Sequence, residues 1–349
     1  MTLEVNIEPL ETTAMVGDLK TNECGIRSVT EDIDTSGSDI SCATLPVPPP
    51  LPDRFRSFQQ FVCLAGVPRA GASLLSAILS QNPRIYAGGT SPMCQMMWDT
   101  YLSYQDKCSR EFASNGKDHF LPQIISAIPH VFYHDISGAE IVVDNCRSWT
   151  QECNLNMLRG SIDPNIKIIV MERPVQEVIE SYARLFSQNH MGSALDSVLP
   201  QLLNPNTEPI LRAMDGINWA KRWSQANPSQ TNFLFVAYED LVTQPATTLQ
   251  RIYDFCGWIT EEHPMLTHDF TNVTVKYPVN ETVHGLVGQF RVHPRVEKRV
   301  YTGEDAIVLS EEIQGKLRDI DAFFTQPQQV QEPVQEPVQE KEPDITISL

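Results

Sequence analysis

The stretch FVCLAGVPRAGASLLSAILSQNP, Phe61 to Pro83, decides how the rest of the chain is read. An apolar run of strand length, FVCLAGV, leads into a glycine-bearing turn. Leu74, Leu75, Ile78 and Leu79 then recur at helical spacing until Asn82-Pro83 stops the helix. Within it GVPRAGAS, Gly66 to Ser73, fits the phosphate-loop pattern GxxxxGK[ST] except that Ala72 stands where the lysine belongs. A strand–glycine turn–helix unit gathers backbone N–H groups at the positive end of a helix dipole, so it attracts an anion without any lysine. Arg69 adds a bidentate fork inside the turn and Ser73 a hydroxyl at the helix start. The missing lysine argues against hydrolysis of a nucleoside triphosphate, whose outer phosphates it would hold.

Three more apolar runs read as buried strands: EIVVDNC (140–146), KIIVMER (167–173) and FLFVAYEDLV (233–242). Each precedes a helical pattern: QECNLNMLRG, the stripe Val178, Ile179, Tyr182, Leu185 and Phe186 with Pro174 at the first helical position, and TTLQRIYDFCGW. The alternation predicts an α/β fold, a P-loop-type three-layer sandwich with a mostly parallel central sheet. Ligands then belong at the carboxyl ends of the strands, which points to Pro68–Ser73 and to Glu172-Arg173. Residues 84–139, with YAGGTSP and the Met-rich MCQMMWDTY, read as helix and loop forming a substrate wall.

The ends differ from this body. Residues 1–56 hold ten acids, four bases and VPPPLP; residues 326–349 hold five acids, one lysine and a repeated VQEP. Both are expected to be disordered tails flanking a single domain, 57–325. They carry −6 and −4 of the net −18, leaving −8 on the body, which argues against a nucleic-acid or anionic-membrane binder. The first residues lack a signal peptide's basic and apolar regions, and no window approaches a membrane span. The eight cysteines form no CxxC pair; with the missing signal they predict reduced thiols and a cytoplasmic protein. No cluster at metal-ligand spacing exists, so no metal is expected.

The motif Pro68, Arg69, Ala70, Gly71, Ala72, Ser73, Leu74, Leu75 resembles the first motif of the sulfotransferases that use 3′-phosphoadenosine-5′-phosphosulfate (PAPS). It is most similar to the bacterial and tyrosylprotein-type branch, whose version reads about PRSGTTL. The resemblance implies that this loop holds the 5′-phosphosulfate, with Arg69 near the transferring group. KIIVMERPVQEVIESYARL resembles the 3′-phosphate motif, an arginine at a strand end and a serine eight residues on; Arg173 and Ser181 have that spacing. AYEDLVTQPATTLQRIYDFCGW resembles a family segment whose work is mostly structural. In the family a late basic loop closes over the nucleotide, which makes Lys276, Arg291 and Arg295 candidate clamps.

The resemblance runs from 61 to about 300 and breaks at two places. Gly89 and Thr90 stand where that branch carries carboxylates, and Asn145 where it carries a lysine, although Asp144, Arg147 and Trp149 fit. Sulfuryl transfer needs a base for the acceptor hydroxyl. His134 is the candidate taken here, with His130, Asp99 and Asp135 as alternatives, and a catalytically degenerate nucleotide-binding or interaction protein as the other reading. The implied partners are the nucleotide co-substrate and an acceptor; the oligomeric state is not legible.

Overall fold

The computed structural model describes residues 51–136, 138–189, 201–203, 209–302 and 307–325. Of the two expected tails, 1–50 and 326–349 lie outside the described residues. Residues 51–56 lie inside them and belong to the body: Leu51 is buried and its carbonyl accepts from Arg56 Nε at 2.8 Å. Leu51, expected in the tail, thus packs into the body.

Five strands form one sheet: β1 (Gln60–Gly66), β2 (Ile85–Thr90), β3 (Ile141–Asn145), β4 (Lys167–Glu172) and β5 (Phe233–Ala237). Their order is β2-β3-β1-β4-β5 and every pairing is parallel. The central β1 is buried along nearly its whole length, because both its neighbours and the helices above and below remove it from water. Val62 stands beside Val143 on one side and Lys167 on the other.

The helices are α1 (Ala72–Leu79), α2 (Met93–Ser103), α3 (Ser109–Ser114), α4 (Leu121–Phe132), α5 (Glu152–Ser161), α6 (Val175–Gln188), α7 (Pro209–Ala226), α8 (Tyr238–Thr243), α9 (Pro245–Cys256) and α10 (Glu311–Thr325). A π-helical turn, Tyr104–Cys108, joins α2 to α3. On α6, Val178, Ile179, Tyr182, Leu185 and Phe186 are all buried, as their spacing requires. The α/β architecture matches the expectation from the alternating pattern.

Three local readings are corrected. YAGGTSP is not loop: Ile85–Thr90 is the edge strand β2. Its two glycines, Gly88 and Gly89, dilute the apolar signal. FLFVAYEDLV is not one strand: β5 ends at Ala237 and α8 begins at Tyr238, with Glu239 and Asp240 in its first turn, where the helix dipole favours acids. Pro174 is the cap of α6 rather than its first residue.

Candidate functional site

The carboxyl ends of β1 and β4 lie side by side, with Gly66 opposite Met171. Gly66 has φ of 144°, and a Cβ there would meet the Met171 carbonyl oxygen at 2.3 Å, so only glycine lets β1 turn so close to β4. The turn continues through Arg69, whose φ of 65° is left-handed, and Gly71 at 94°. The first bond of the α1 ladder runs from Leu75 N–H to the Gly71 carbonyl at 2.9 Å, so the N–H groups of Ala72, Ser73 and Leu74 have no acceptor within that helix. The Ala70 N–H is spent on the Val67 carbonyl at 3.2 Å, which removes one donor from the turn. Pro68 and Ala70 are buried beneath the turn.

Side chains from the two motifs meet over this turn. Arg69 Nε donates to Ser181 Oγ at 3.1 Å, and Arg173 Nη1 donates to the Arg69 carbonyl at 2.8 Å. Arg173 also pairs with Glu177 at 2.9 Å and lies 4.2 Å over the Tyr238 ring, a cation–π contact at the end of β5. In the sequence Tyr238 belongs to the segment AYEDLVTQPATTLQRIYDFCGW, whose work the family resemblance makes mostly structural. Its position one residue past a strand end was the signal for a place in the site. Among the described residues Arg69 faces no carboxylate within ion-pair distance, and its Nη1 donates to the Gln289 carbonyl. Burial presses its pKa below the usual arginine value, and the neighbouring Arg173 cation pushes the same way, against the tyrosine hydroxyls around it. Among the described residues, two largely buried guanidinium groups thus have one carboxylate, Glu177, beside them.

A strap, residues 275–291, crosses above. It is fastened to α6 by Asn189, which donates to the Val287 carbonyl at 2.9 Å and accepts from the Val287 N–H at 3.0 Å. Glu281 folds the strap on itself, accepting from the N–H groups of Gly288 at 2.7 Å and Phe290 at 2.9 Å. Between the strap, α1 and the end of β2 lies a cleft of about 860 Å³ that reaches Ser73, Gly89, Lys276 and Arg291. Gly89 lies directly under the strap: a Cβ there would be 2.5 Å from Val279 Cγ1.

The remaining candidates lie elsewhere. Arg295 is exposed and pairs with Glu297 at 3.7 Å. His134 is not brought to the cleft: it is exposed after α4, and its Nδ1 contacts the Val131 carbonyl at 2.8 Å. His130 accepts the Ser57 N–H at Nδ1 (3.1 Å) and stacks on Phe58, and burial pushes its pKa down to about 4. Asp99 is exposed and accepts from Gln95 at 2.6 Å; Asp135 is exposed. Asp144 is fully buried and accepts from Tyr133 at 2.6 Å, from Trp149 Nε1 at 2.8 Å and from Ser91. It is a structural knot, although burial raises its pKa.

The chain belongs to the sulfotransferase family, whose sequence model matches residues 62–262. A Caenorhabditis briggsae protein named "Putative protein-tyrosine sulfotransferase" is 24% identical over 230 residues, covering 63% of this chain and 73% of its own. The sulfotransferase domain of the Synechococcus PCC 7002 olefin synthase aligns with a TM-score of 0.44 at 18% identity, over 77% of this chain and 95% of that domain. Sulfotransferase STF9 from Mycobacterium avium aligns at 0.31 and 13% identity, over 76% of this chain and 77% of its own.

Proposed function

We propose that this chain moves a sulfuryl group from PAPS to a hydroxyl or amine acceptor, releasing adenosine 3′,5′-bisphosphate, with the body, residues 51–325, as the working unit and the cytoplasm as its place. The observation that carries this is the pair Arg69 and Arg173, brought together from two motifs with, among the described residues, one carboxylate, Glu177, between them. A buried charge without a counter-charge costs several kcal/mol, of the order of 3 or more, unless an anion completes it. A dianionic nucleotide end would do so.

In this reading the turn Pro68, Arg69, Ala70, Gly71, Ala72, Ser73 and Leu74 holds the 5′-phosphosulfate. Its unspent N–H groups, the Ser73 hydroxyl and the Arg69 guanidinium meet the oxygens on which charge develops as the bridging bond breaks. Arg173 and Ser181 take the 3′-phosphate. Lys276 and Arg291 contribute from the strap; Arg295, paired with Glu297, is the weakest of the assigned clamps. PAPS supplies an activated sulfuryl group on a phosphate leaving group.

Thermal shift with adenosine 3′,5′-bisphosphate, ATP and adenosine 5′-monophosphate tests the donor site, because a ligand that binds the fold raises the melting temperature by mass action. Stabilisation by the bisphosphate, abolished in Arg173→Ala, is the expected result; a response to ATP alone sinks the reading. A second reading, a degenerate family member that binds nucleotide without transfer, is favoured by one observation: His134, His130, Asp99 and Asp135 all lie outside the cleft. Transfer of ³⁵S from labelled PAPS into a mixed acceptor pool separates the two.

A further inference from the structure

The strap is built of turns and loop rather than helix or strand, so its backbone groups must find partners outside any ladder. Over four consecutive residues, 287–290, they find them on three side chains. Asn189 takes both polar groups of Val287, donating from Nδ2 to the carbonyl at 2.9 Å and accepting the N–H at Oδ1 at 3.0 Å. Glu281 accepts the N–H groups of Gly288 at 2.7 Å and Phe290 at 2.9 Å. Between those two, the Gln289 carbonyl accepts from Arg69 Nη1. Arg291 follows directly, its N–H on the Gly288 carbonyl at 3.3 Å and its side chain lining the cleft.

Two of the three pins come from the donor motifs. Arg69 belongs to the phosphate turn, and its guanidinium has five N–H groups, enough to serve Ser181, Gln289 and an anion together. Asn189 closes α6, the helix that carries Ser181 eight residues earlier, about 12 Å away at 1.5 Å per residue. Asn189 is itself held: its backbone N–H donates to the Leu185 and Phe186 carbonyls at 3.2 and 3.1 Å, and Nδ2 also donates to the Leu185 carbonyl at 2.8 Å. Its amide therefore offers the strap one donor and one acceptor in a fixed array. Resting on the sulfuryl-transfer reading above, we propose that Asn189 is a positioning residue for the donor: with Glu281 it fixes 287–290 so that Arg291 stands over the nucleotide site before the nucleotide arrives. An arginine on an unpinned loop has to be ordered at the moment of binding, and that ordering subtracts from affinity; a pinned one has already met the cost.

Calorimetric titration of the full chain with adenosine 3′,5′-bisphosphate reads the effect as a double-mutant cycle. Arg291→Ala should weaken binding roughly tenfold or more, the usual cost of a lost hydrogen bond to a charged group. Asn189→Ala should lose about as much, although Asn189 is assigned no contact with the nucleotide. Asn189→Asp keeps the shape but cannot donate to the Val287 carbonyl, so it should match the alanine. In the Arg291→Ala background, Asn189→Ala should cost nothing further, because its effect runs through Arg291. Losses that multiply to roughly a hundredfold would show that the pair supports the fold in general, and would overturn the proposal. Full affinity in Asn189→Ala, in Asn189→Asp or in Arg291→Ala alone would overturn it too. If Asn189→Ala does not fold, Glu281→Ala enters the same cycle with the same expectation.

Hydrogen exchange checks that the strap is set in advance. The amides of Val287, Gly288 and Phe290 should be protected in the unliganded chain, and that of Val287 should lose protection in Asn189→Ala. Amides that exchange freely until the bisphosphate is added would show that the nucleotide orders the strap, and the proposal would fall. Absence of bisphosphate binding by the unaltered chain would instead remove the sulfuryl-transfer reading itself, and this proposal with it.

Discussion

Arg69 holds a left-handed backbone that an L-residue adopts only at a cost, and it carries a buried charge as well. The two burdens can be separated. Arg69→Gly and Arg69→Ala both remove the guanidinium, so both are expected to lose bisphosphate binding. They should differ in stability, with the glycine variant about 1 kcal/mol the more stable, because only glycine is at ease at that φ. Urea denaturation of the pair measures the difference, and equal midpoints would show that the turn relaxes. Asp144 is the opposite case, a residue spent entirely on structure. Its removal in Asp144→Ala strands the donors of Tyr133, Trp149 and Ser91. A loss of about 3 kcal/mol or more is expected, and a loss under about 1 kcal/mol would mean that water replaces the carboxylate. Both residues drew notice as members of motifs; neither the φ of one nor the burial of the other can be seen in a motif.

At the scale of elements, the approach of β1 to β4 depends on Gly66. Gly66→Ala would press a methyl onto a backbone oxygen, Met171 O, which cannot rotate away. That variant should unfold at markedly lower denaturant, by more than about 2 kcal/mol, with the bisphosphate shift lost in the same step; a folded chain of normal stability would mean that β1 and β4 do not pack this closely. The same elements show what could be read in advance. Strands β1, β3 and β4 announce themselves because a strand buried on both faces reads as a nearly continuous apolar run, and the half-buried edge strand β5 does so through the aromatic and β-branched run FLFVA. Edge strand β2 has one neighbour and two glycines, so IYAGGT offers no such run. The turn after β1 and the Arg173–Ser181 pair were legible because each is local, a few residues at fixed spacing. The strap's place was not. Its contacts with Asn189, Arg69 and Gly89 join residues roughly a hundred to two hundred positions apart, and nothing in VKYPVNETVHGLVGQFR marks their partners.

For the whole molecule, two neutral histidines set a limit on acid stability. His130 is held under Phe58, and His268 is wedged between the Leu266 carbonyl and the Tyr253 hydroxyl, with its pKa also lowered by burial. In the unfolded chain each takes up its proton near pH 6.5, before the folded form does. Their contribution is therefore complete above about pH 6.5 and is lost as pH falls toward the folded value, about 4 for His130. The melting temperature should decline across that window, and His130→Gln should flatten part of the decline; an unaltered slope would show that His130 titrates normally. The central position of β1 has one more consequence, for the way the chain is made. Val62 has its neighbours at Val143 and Lys167, so β1 leaves the ribosome well before either partner exists. At about 5–20 residues per second the wait lasts several seconds, during which its apolar segment has no sheet to join. Synthesis speed across residues 84 to 167, more than the affinity of any single contact, then governs how much of the chain reaches the fold.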